Sequence, residues 1–173
     1  NLIAEFTQSP SLQISKSYLW GEDIAGPAPR SFSAGGGVGG LLAVKDSSGA
    51  YIPAYDGNGN ITSYVDASNG NKVAEYEYDA FGRTIVKAGV KADDMAFRFS
   101  TKWMDGETGD YYYGYRYYNP DTGRWLSRDP IDEYGGLNIY STENNLVNKY
   151  DSLGLKIFVV RRPLTAFKDN SND

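Results

Sequence analysis

The sequence predicts an all-β protein, an antiparallel meander of short strands with little helix. Apolar and polar residues alternate over residues 12–20, 73–78 and 111–118, and alternation with a period of two residues is typical of a strand with one buried face. Turns rich in Gly, Asn and Asp separate such stretches, and no long stretch has helical periodicity. Strands with a turn every ~8–12 residues indicate a meander.

The predicted turns share one composition, in which Asp comes first and Gly follows within a few residues. Both residue types favour tight turns, since their backbones tolerate positive φ. In chain order these turns cover residues 46–49, 56–59, 66–70, 105–109 and 121–123. Further strands are expected at 41–44, at 111–118 with Tyr on both faces, and at 157–160.

Composition excludes several classes of function. The 173 residues contain no Cys and no His, which excludes a disulfide framework, a Cys/His zinc site, a thiolate nucleophile and a Ser-His-Asp triad. Lys and Arg total 17 against 22 Asp and Glu, for a net charge of −5, so we expect no nucleic-acid partner. No apolar run approaches the ~20 residues of a membrane span. Catalysis would therefore depend on carboxylates, hydroxyls, Lys or Arg, and we expect no cofactor.

The N-terminal residues contain no Met and no basic stretch of the kind that begins a signal peptide. The length corresponds to about one domain. We therefore expect the chain to be a fragment or a processed piece of a longer protein.

A short motif recurs along the chain. Tyr55-Asp56-x-x-Gly59 returns 23 residues later as Tyr78-Asp79-x-x-Gly82, and residues 150–154 repeat its core. A fixed spacing of this kind indicates stacked units that bury their faces against one another. Each unit would be a strand, a Tyr-Asp turn and a return strand, in which Tyr packs and Asp binds the turn amides.

These residues resemble a known family. The Tyr-Asp-x-x-Gly-Arg unit is similar to the YD repeat, and residues 112–131 resemble the Rhs-repeat-associated core. The resemblance implies kinship with the C components of insecticidal toxin complexes, large bacterial proteins that are secreted or displayed at the cell surface. It implies a curved sheet that forms part of a hollow Rhs-type shell around a C-terminal toxin. Residues 1–155 would be the YD/Rhs core, and residues 156–173 a short tail, the remnant or truncated form of a variable region.

The same resemblance implies an aspartyl self-cleavage site. The family's two catalytic aspartates match Asp129 and Asp151, its site arginine matches Arg116, and the cut falls between Leu155 and Lys156. Aspartyl proteolysis needs two carboxylates that share one proton. The spacing of 22 residues between the two aspartates does not by itself bring them together, and Asp129 before Pro130 also suits a simple turn.

Two positions depart from the family pattern. Asp132 stands where the family usually has Gly and adds negative charge beside the pair, and Ser152 stands where it usually has Pro. The expectation is a structural closing segment of the shell, with a cleavage site that is either degenerate or active as an autoprotease. A second alternative is a β module that binds surface glycans or proteins through the tyrosines of 111–118.

Two further motifs resemble ligand-binding motifs but are not expected to bind a dinucleotide or a metal. Residues 35–40 fit G-x-G-x-x-G, but no apolar strand precedes them and a strand follows, so we expect a turn and not a dinucleotide site. Residues 56–60 resemble the first half of a calcium loop, but Ile61 and Ala67 replace its Gly and Glu, and we expect no metal. Partners would be the rest of a parent shell, a second chain at exposed strand edges, an oligomer or a glycan.

Overall fold

A computed structural model describes residues 2–8, 11–22, 37–130, 140, 149–151 and 157–159, the last two segments by their strand pairing alone. Within these segments the regular structure is antiparallel β, with one 3₁₀ turn at Phe99–Thr101 and no α-helix. None of the described elements is a helix that is long and apolar enough to cross a membrane. The predicted all-β class with little helix is confirmed.

The first sheet has seven strands in the order of the chain, which is the predicted meander. The alternation at 12–20 forms β2, the stretch at 73–78 forms most of β6, and the short strand expected at 41–44 begins β3. Every neighbouring pair is antiparallel. The strands are β1 (Ala4–Gln8), β2 (Leu12–Trp20), β3 (Leu41–Asp46), β4 (Ala50–Tyr55), β5 (Ile61–Asp66), β6 (Lys72–Tyr78) and β7 (Thr84–Ala88).

The remaining strands form two smaller sheets. Four short strands pair in the order β11-β10-β9-β8, and two more form a separate pair that includes the strand expected at 157–160. These strands are β8 (Trp103–Met104), β9 (Tyr111–Tyr112), β10 (Tyr117–Asn119), β11 (Arg124–Trp125), β12 (Lys149–Asp151) and β13 (Ile157–Val159).

The single strand predicted at 111–118 is wrong. Gly114 has φ 104°, a backbone conformation that breaks a strand, and the chain reverses there. Tyr112 therefore pairs with Tyr117 and Tyr111 with Tyr118 across a hairpin. The expectation of Tyr on both faces is confirmed, since Tyr111 and Tyr118 are buried whereas Tyr112 and Tyr117 are exposed.

The aspartates at the starts of five turns bind main-chain amides of those turns. In each case one carboxylate oxygen accepts a hydrogen bond from the main-chain amide two residues further on, which fixes the turn. The acceptor and donor pairs are Asp46 and Ser48, Asp56 and Asn58, Asp66 and Ser68, Asp79 and Phe81, and Asp105 and Glu107.

The repeat tyrosines connect successive units. The Tyr55 hydroxyl donates to the carbonyl of Leu41, the first residue of β3. The Tyr78 hydroxyl donates at 2.6 Å to the carbonyl of Ile61, the first residue of β5. Each Tyr thus binds the first residue of the strand before its own. Each of these carbonyls accepts a hydrogen bond from a Tyr hydroxyl. Stacking of the units therefore leaves neither group buried without a hydrogen-bond partner.

The segment between the two larger sheets covers the inner face of the first. The buried hydroxyls of Tyr64 and Tyr76 donate to the carbonyls of Phe97 and Ala92 at 2.9 and 2.7 Å. The buried Arg98 guanidinium lies 4.9 Å from the Tyr76 ring centroid. The core beneath this segment is largely aromatic and aliphatic, and consists of Tyr18, Leu41, Val44, Tyr51, Ile61, Tyr64, Val73, Ala74, Tyr76, Ala92, Met95 and Phe97.

Candidate functional site

A buried ion pair joins two of the residues expected at the cleavage site. Arg116 ends the loop between β9 and β10, and Asp129 follows β11 by four residues. Arg116 Nη2 lies 2.9 Å from Asp129 Oδ2, and the two side chains are only 3% and 6% exposed. The fold therefore brings together a carboxylate and a guanidinium that are 13 residues apart in the sequence.

Trp125 forms the floor beneath this pair. The Arg116 guanidinium carbon lies 4.1 Å from the Trp125 ring centroid. Tyr113 and Tyr118 meet the same indole edge to face, with centroid distances of 5.0 and 5.6 Å. The register of β10 and β11 places Trp125 opposite Tyr118, so the hairpin geometry decides where the floor lies.

The environment makes this ion pair costly to disrupt. Burial removes both charges from water, and their attraction offsets that desolvation only while both partners are present. A guanidinium on an indole face gains a further ~0.5–2 kcal/mol. The arrangement holds the Asp129 carboxylate in one orientation, as a catalytic carboxylate requires.

Asp129 differs from the turn aspartates of the repeats. Asp56 and Asp79 bind main-chain amides of their own turns, whereas Asp129 binds a side chain from another hairpin. Asp129 is also buried. This contrast distinguishes a candidate functional carboxylate from a turn residue.

The second expected aspartate belongs to a different sheet. Asp151 ends β12, where it pairs with Ile157 of β13. Leu155 and Lys156, the expected cleavage position, lie outside the described residues, as do Asp132 and Ser152. The structure thus brings Arg116 to Asp129, and the participation of Asp151 stays a prediction.

The described parts of the G-x-G-x-x-G motif, residues 37–40, and of the calcium-loop-like motif, residues 56–60, form turns. The Gly40 amide donates to the Gly37 carbonyl at 3.0 Å, and β3 follows at once where a dinucleotide site would have a helix. Asp56 uses both carboxylate oxygens within its own turn, toward Asn58 and Asn60. Over the described residues no cluster of three acidic side chains is placed to hold a metal ion.

Sequence reasoning missed two residues next to Tyr113 and Arg116, namely Trp125 and Lys102. Trp125 is the floor of the site, and the buried Lys102 places its Nζ 5.1 Å from the Tyr113 ring centroid. A signal for Trp125 was available in the turn at 121–123. A tight turn there pairs Asn119 with Arg124 and therefore Tyr118 with Trp125.

The chain is similar to a toxin subunit and to a nuclease. The RHS repeat family matches residues 55–88. The toxin subunit YenC1 of Yersinia entomophaga is 41% identical over 90 residues, which are 50% of this chain and 9% of that protein. The tRNA3(Ser)-specific nuclease WapA of Bacillus spizizenii is 33% identical over 119 residues, which are 68% of this chain and 4% of that protein.

Solved structures agree with this similarity. The crystal structure of TcdB2-TccC3-Cdc42 matches with a TM-score of 0.65 and 28% identity, over 88% of this chain and 7% of that one. The chain thus spans less than a tenth of the length of each of these relatives. With the Tyr-Asp turns, the meander and these matches, the chain belongs to the Rhs/YD-repeat family.

Proposed function

We propose that this chain is the closing segment of a toxin-enclosing Rhs shell and that it carries an aspartyl self-cleavage site. The observation that carries the proposal is the buried Arg116–Asp129 pair on Trp125. The pair lies in a chain of which 88% is similar to a structure that contains the toxin-complex component TccC3. Residues 1–155 would form the shell segment and residues 156–173 the variable tail.

Open strand edges support a role as part of a larger shell. β1 and β7 are the edges of the seven-stranded sheet, and unpaired edges favour pairing with further strands. Phe6, Leu12 and Ile14 on β1 and β2 are large apolar residues that remain exposed. We infer that neighbouring parts of a parent shell, or of a second chain, cover this end. Such a protein would act outside the cell that makes it, by analogy with the toxin relatives.

The cleavage step would use two carboxylates and one water molecule. Asp129 and Asp151 would share one proton, so that one takes a proton from water while the other donates to the scissile carbonyl oxygen. The water oxygen adds to the carbonyl carbon of Leu155. The C–N bond to Lys156 then breaks, and the departing nitrogen takes a proton. The products are a carboxylate at Leu155 and a new amino terminus at Lys156. Arg116 would act as a positioning residue through its bond to Asp129.

The strand pairing supports the location of the cut. β12 and β13 are antiparallel, and Asp151 pairs with Ile157, so residues 152–156 connect the two strands. The bond between Leu155 and Lys156 therefore follows Asp151 within one short connection. A substrate tethered in this way has a high effective concentration at the site.

The experiment compares the wild-type chain with Asp129→Asn and Asp151→Asn after purification. The matched control is Asp121→Asn, an exposed turn aspartate. We expect the wild type and the control to release a peptide whose first residue is Lys156, as identified by N-terminal sequencing. Both site variants should retain the tail.

Folding needs a separate check in this experiment. Asn at 129 leaves the buried Arg116 charge without its carboxylate, which costs about 3–5 kcal/mol. Circular dichroism of each variant distinguishes the loss of a catalytic carboxylate from unfolding. Asp151→Asn leaves the Arg116–Asp129 pair intact and avoids this cost. Release of the same peptide from a folded Asp151→Asn chain would refute the aspartyl mechanism.

A further inference from the structure

The sulfur of Met104 lies within hydrogen-bond distance of a buried guanidinium. Arg98 Nη1 donates to Met104 Sδ at 3.2 Å. Arg98 is only 4% exposed, and its other two nitrogens donate to the main-chain oxygens of Met95 and Ala92 at 3.0 and 2.8 Å, so the guanidinium is fixed. We propose that Met104 is a redox modification site, at which a peroxide oxidises the thioether to a sulfoxide that Arg98 then binds.

A cleft beside the second sheet gives an oxidant access to this sulfur. Met104 is half-buried on β8 and lines a cleft with a volume of ≈ 860 Å³, which is many times larger than a peroxide molecule. The second methionine of the chain, Met95, is 1% exposed and packs in the core of the first sheet. Because oxidation of a thioether requires contact with the oxidant, the fold exposes Met104 and protects Met95.

The oxidation transfers one oxygen atom from the peroxide to sulfur. A lone pair of Met104 Sδ attacks one peroxide oxygen, the S–O bond forms and the O–O bond breaks. Sulfur loses two electrons to the peroxide. The proton of the transferred oxygen moves to the other oxygen, which departs as water or an alcohol. Negative charge develops on the oxygens during this step, and the fixed N–H of Arg98 beside the sulfur stabilises that charge.

The sulfoxide oxygen has two very different environments within reach. A thioether sulfur is a weak acceptor, whereas a sulfoxide oxygen forms a stronger, charge-assisted hydrogen bond with a guanidinium. Met104 also packs against the aromatic cluster that contains Tyr113 and Trp125, where an oxygen without a hydrogen-bond partner is costly. Since oxidation makes the sulfur a stereocentre, we expect an excess of the epimer whose oxygen faces Arg98.

Peroxide treatment of the full chain, followed by peptide mapping, tests the proposal. Trypsin places the two methionines on separate peptides, residues 92–98 and 103–116, and fragment mass spectra distinguish oxidation at Met104 from oxidation at Trp103. In the folded chain we expect Met104 to gain its oxygen at least about tenfold faster than Met95. In urea the two rates should agree within about twofold, because both sulfurs are then exposed. Equal rates in the folded chain overturn the proposal.

The epimer ratio tests the role of Arg98 without substitution of a buried cation. Methionine sulfoxide reductases A and B each reduce one sulfoxide epimer, and each is applied to the peptide 103–116 after digestion. From the chain oxidised in its folded state, one reductase should remove at least about four-fifths of the sulfoxide, whereas from the chain oxidised in urea each should remove about half. Equal removal from the folded sample would overturn the role of Arg98.

Met104→Leu is the control variant, because it keeps an apolar side chain of similar size and lacks the sulfur. Its peptide 103–116 should show no fast gain of oxygen in the folded chain. A fast gain that persists in this variant would assign the reaction to Trp103 and would contradict the proposal.

Discussion

Phe99 packs directly against Gly82, the glycine that ends the second Tyr-Asp turn. A Cβ at position 82 would lie 2.5 Å from the Phe99 ring, and Gly82 has φ 88°. Both the close contact and the left-handed backbone therefore require glycine at this position. The contact connects the repeat turn to the segment that precedes the second sheet, and it gives a sharp test of the fold.

Gly82→Ala should destabilise the protein by about 2–4 kcal/mol, because strain at positive φ adds to a clash in a packed site. The matched control is Gly57→Ala in the preceding repeat turn, where an added Cβ meets nothing within 4 Å. Urea unfolding of the two variants checks the prediction. Equal midpoints for Gly82→Ala and Gly57→Ala would contradict the described packing.

A second prediction concerns Thr101, whose hydroxyl bridges two turns. Thr101 Oγ1 accepts from the Gly39 amide and donates to the Gly59 carbonyl, both at 2.7 Å. Thr101→Val keeps the shape but leaves both main-chain groups without this partner, so we expect a loss of about 2–4 kcal/mol. Thr101→Ser keeps the hydroxyl and should lose less than half as much. Urea midpoints again provide the measurement, and an equally stable Val variant would show that the bridge is unimportant.

The third prediction is a loss of stability at alkaline pH. Burial raises the pKa of Tyr76 to about 12, and burial also raises the pKa values of Tyr64 and Tyr78 above 10.0. The unfolded chain ionises these phenols near pH 10, whereas the folded chain keeps them protonated. The stability that they contribute is therefore complete below pH 10 and is lost as the pH rises toward 12.

Tyrosinate absorbance and circular dichroism, followed together during alkaline titration, check this prediction. We expect the absorbance of the buried tyrosines to rise together with the loss of β signal. Tyr76→Phe removes one of the ionising groups and should make the transition less steep. Full ionisation of all tyrosines while the β signal persists would contradict their burial.

The fourth prediction concerns the floor of the candidate site and assumes that self-cleavage occurs. Trp125→Leu removes the ring on which Arg116 lies, and a cation–π contact worth ~1–2 kcal/mol corresponds to a roughly tenfold slower cleavage. Trp125→Phe keeps a ring and should lose less. The pH profile of the rate separates a positioning role from general destabilisation, because a displaced Arg116 changes the charge around Asp129. Rates that follow only the unfolding midpoints of the two variants would argue against positioning.

Local chemistry made most of the fold predictable. Asp at the start of a turn and Gly near its end determine the turn through residues that are adjacent in sequence. Residues 56–59 and 66–70 could therefore be recognised as turns without any tertiary information. The roles of Tyr55 and Tyr78 as packed residues followed from the repeat. Strand alternation likewise placed β2 and β6 within a residue of their ends.

Features that depend on how distant strands pair could not be predicted from the sequence. Alternation continues across Gly114 on both sides, so the hairpin there looked like one strand. The position of Trp125 under Arg116 requires the pairing of β10 with β11 as well as the hairpin before it. Arg98 is buried on main-chain carbonyls, and a sequence pattern gives no sign of such acceptors. The sequence resemblance predicted Arg116 and Asp129 as site residues, and the structure added their contact and its aromatic support.

The intact mass of the purified chain, followed over time, is the decisive test of self-cleavage. We expect the 19.1 kDa chain to lose its last 18 residues, from Lys156 to Asp173, and the folded Asp151→Asn variant to keep its full mass. A wild-type chain that remains at full mass, with its native β signal, would contradict the self-cleavage proposed for this Rhs-repeat segment.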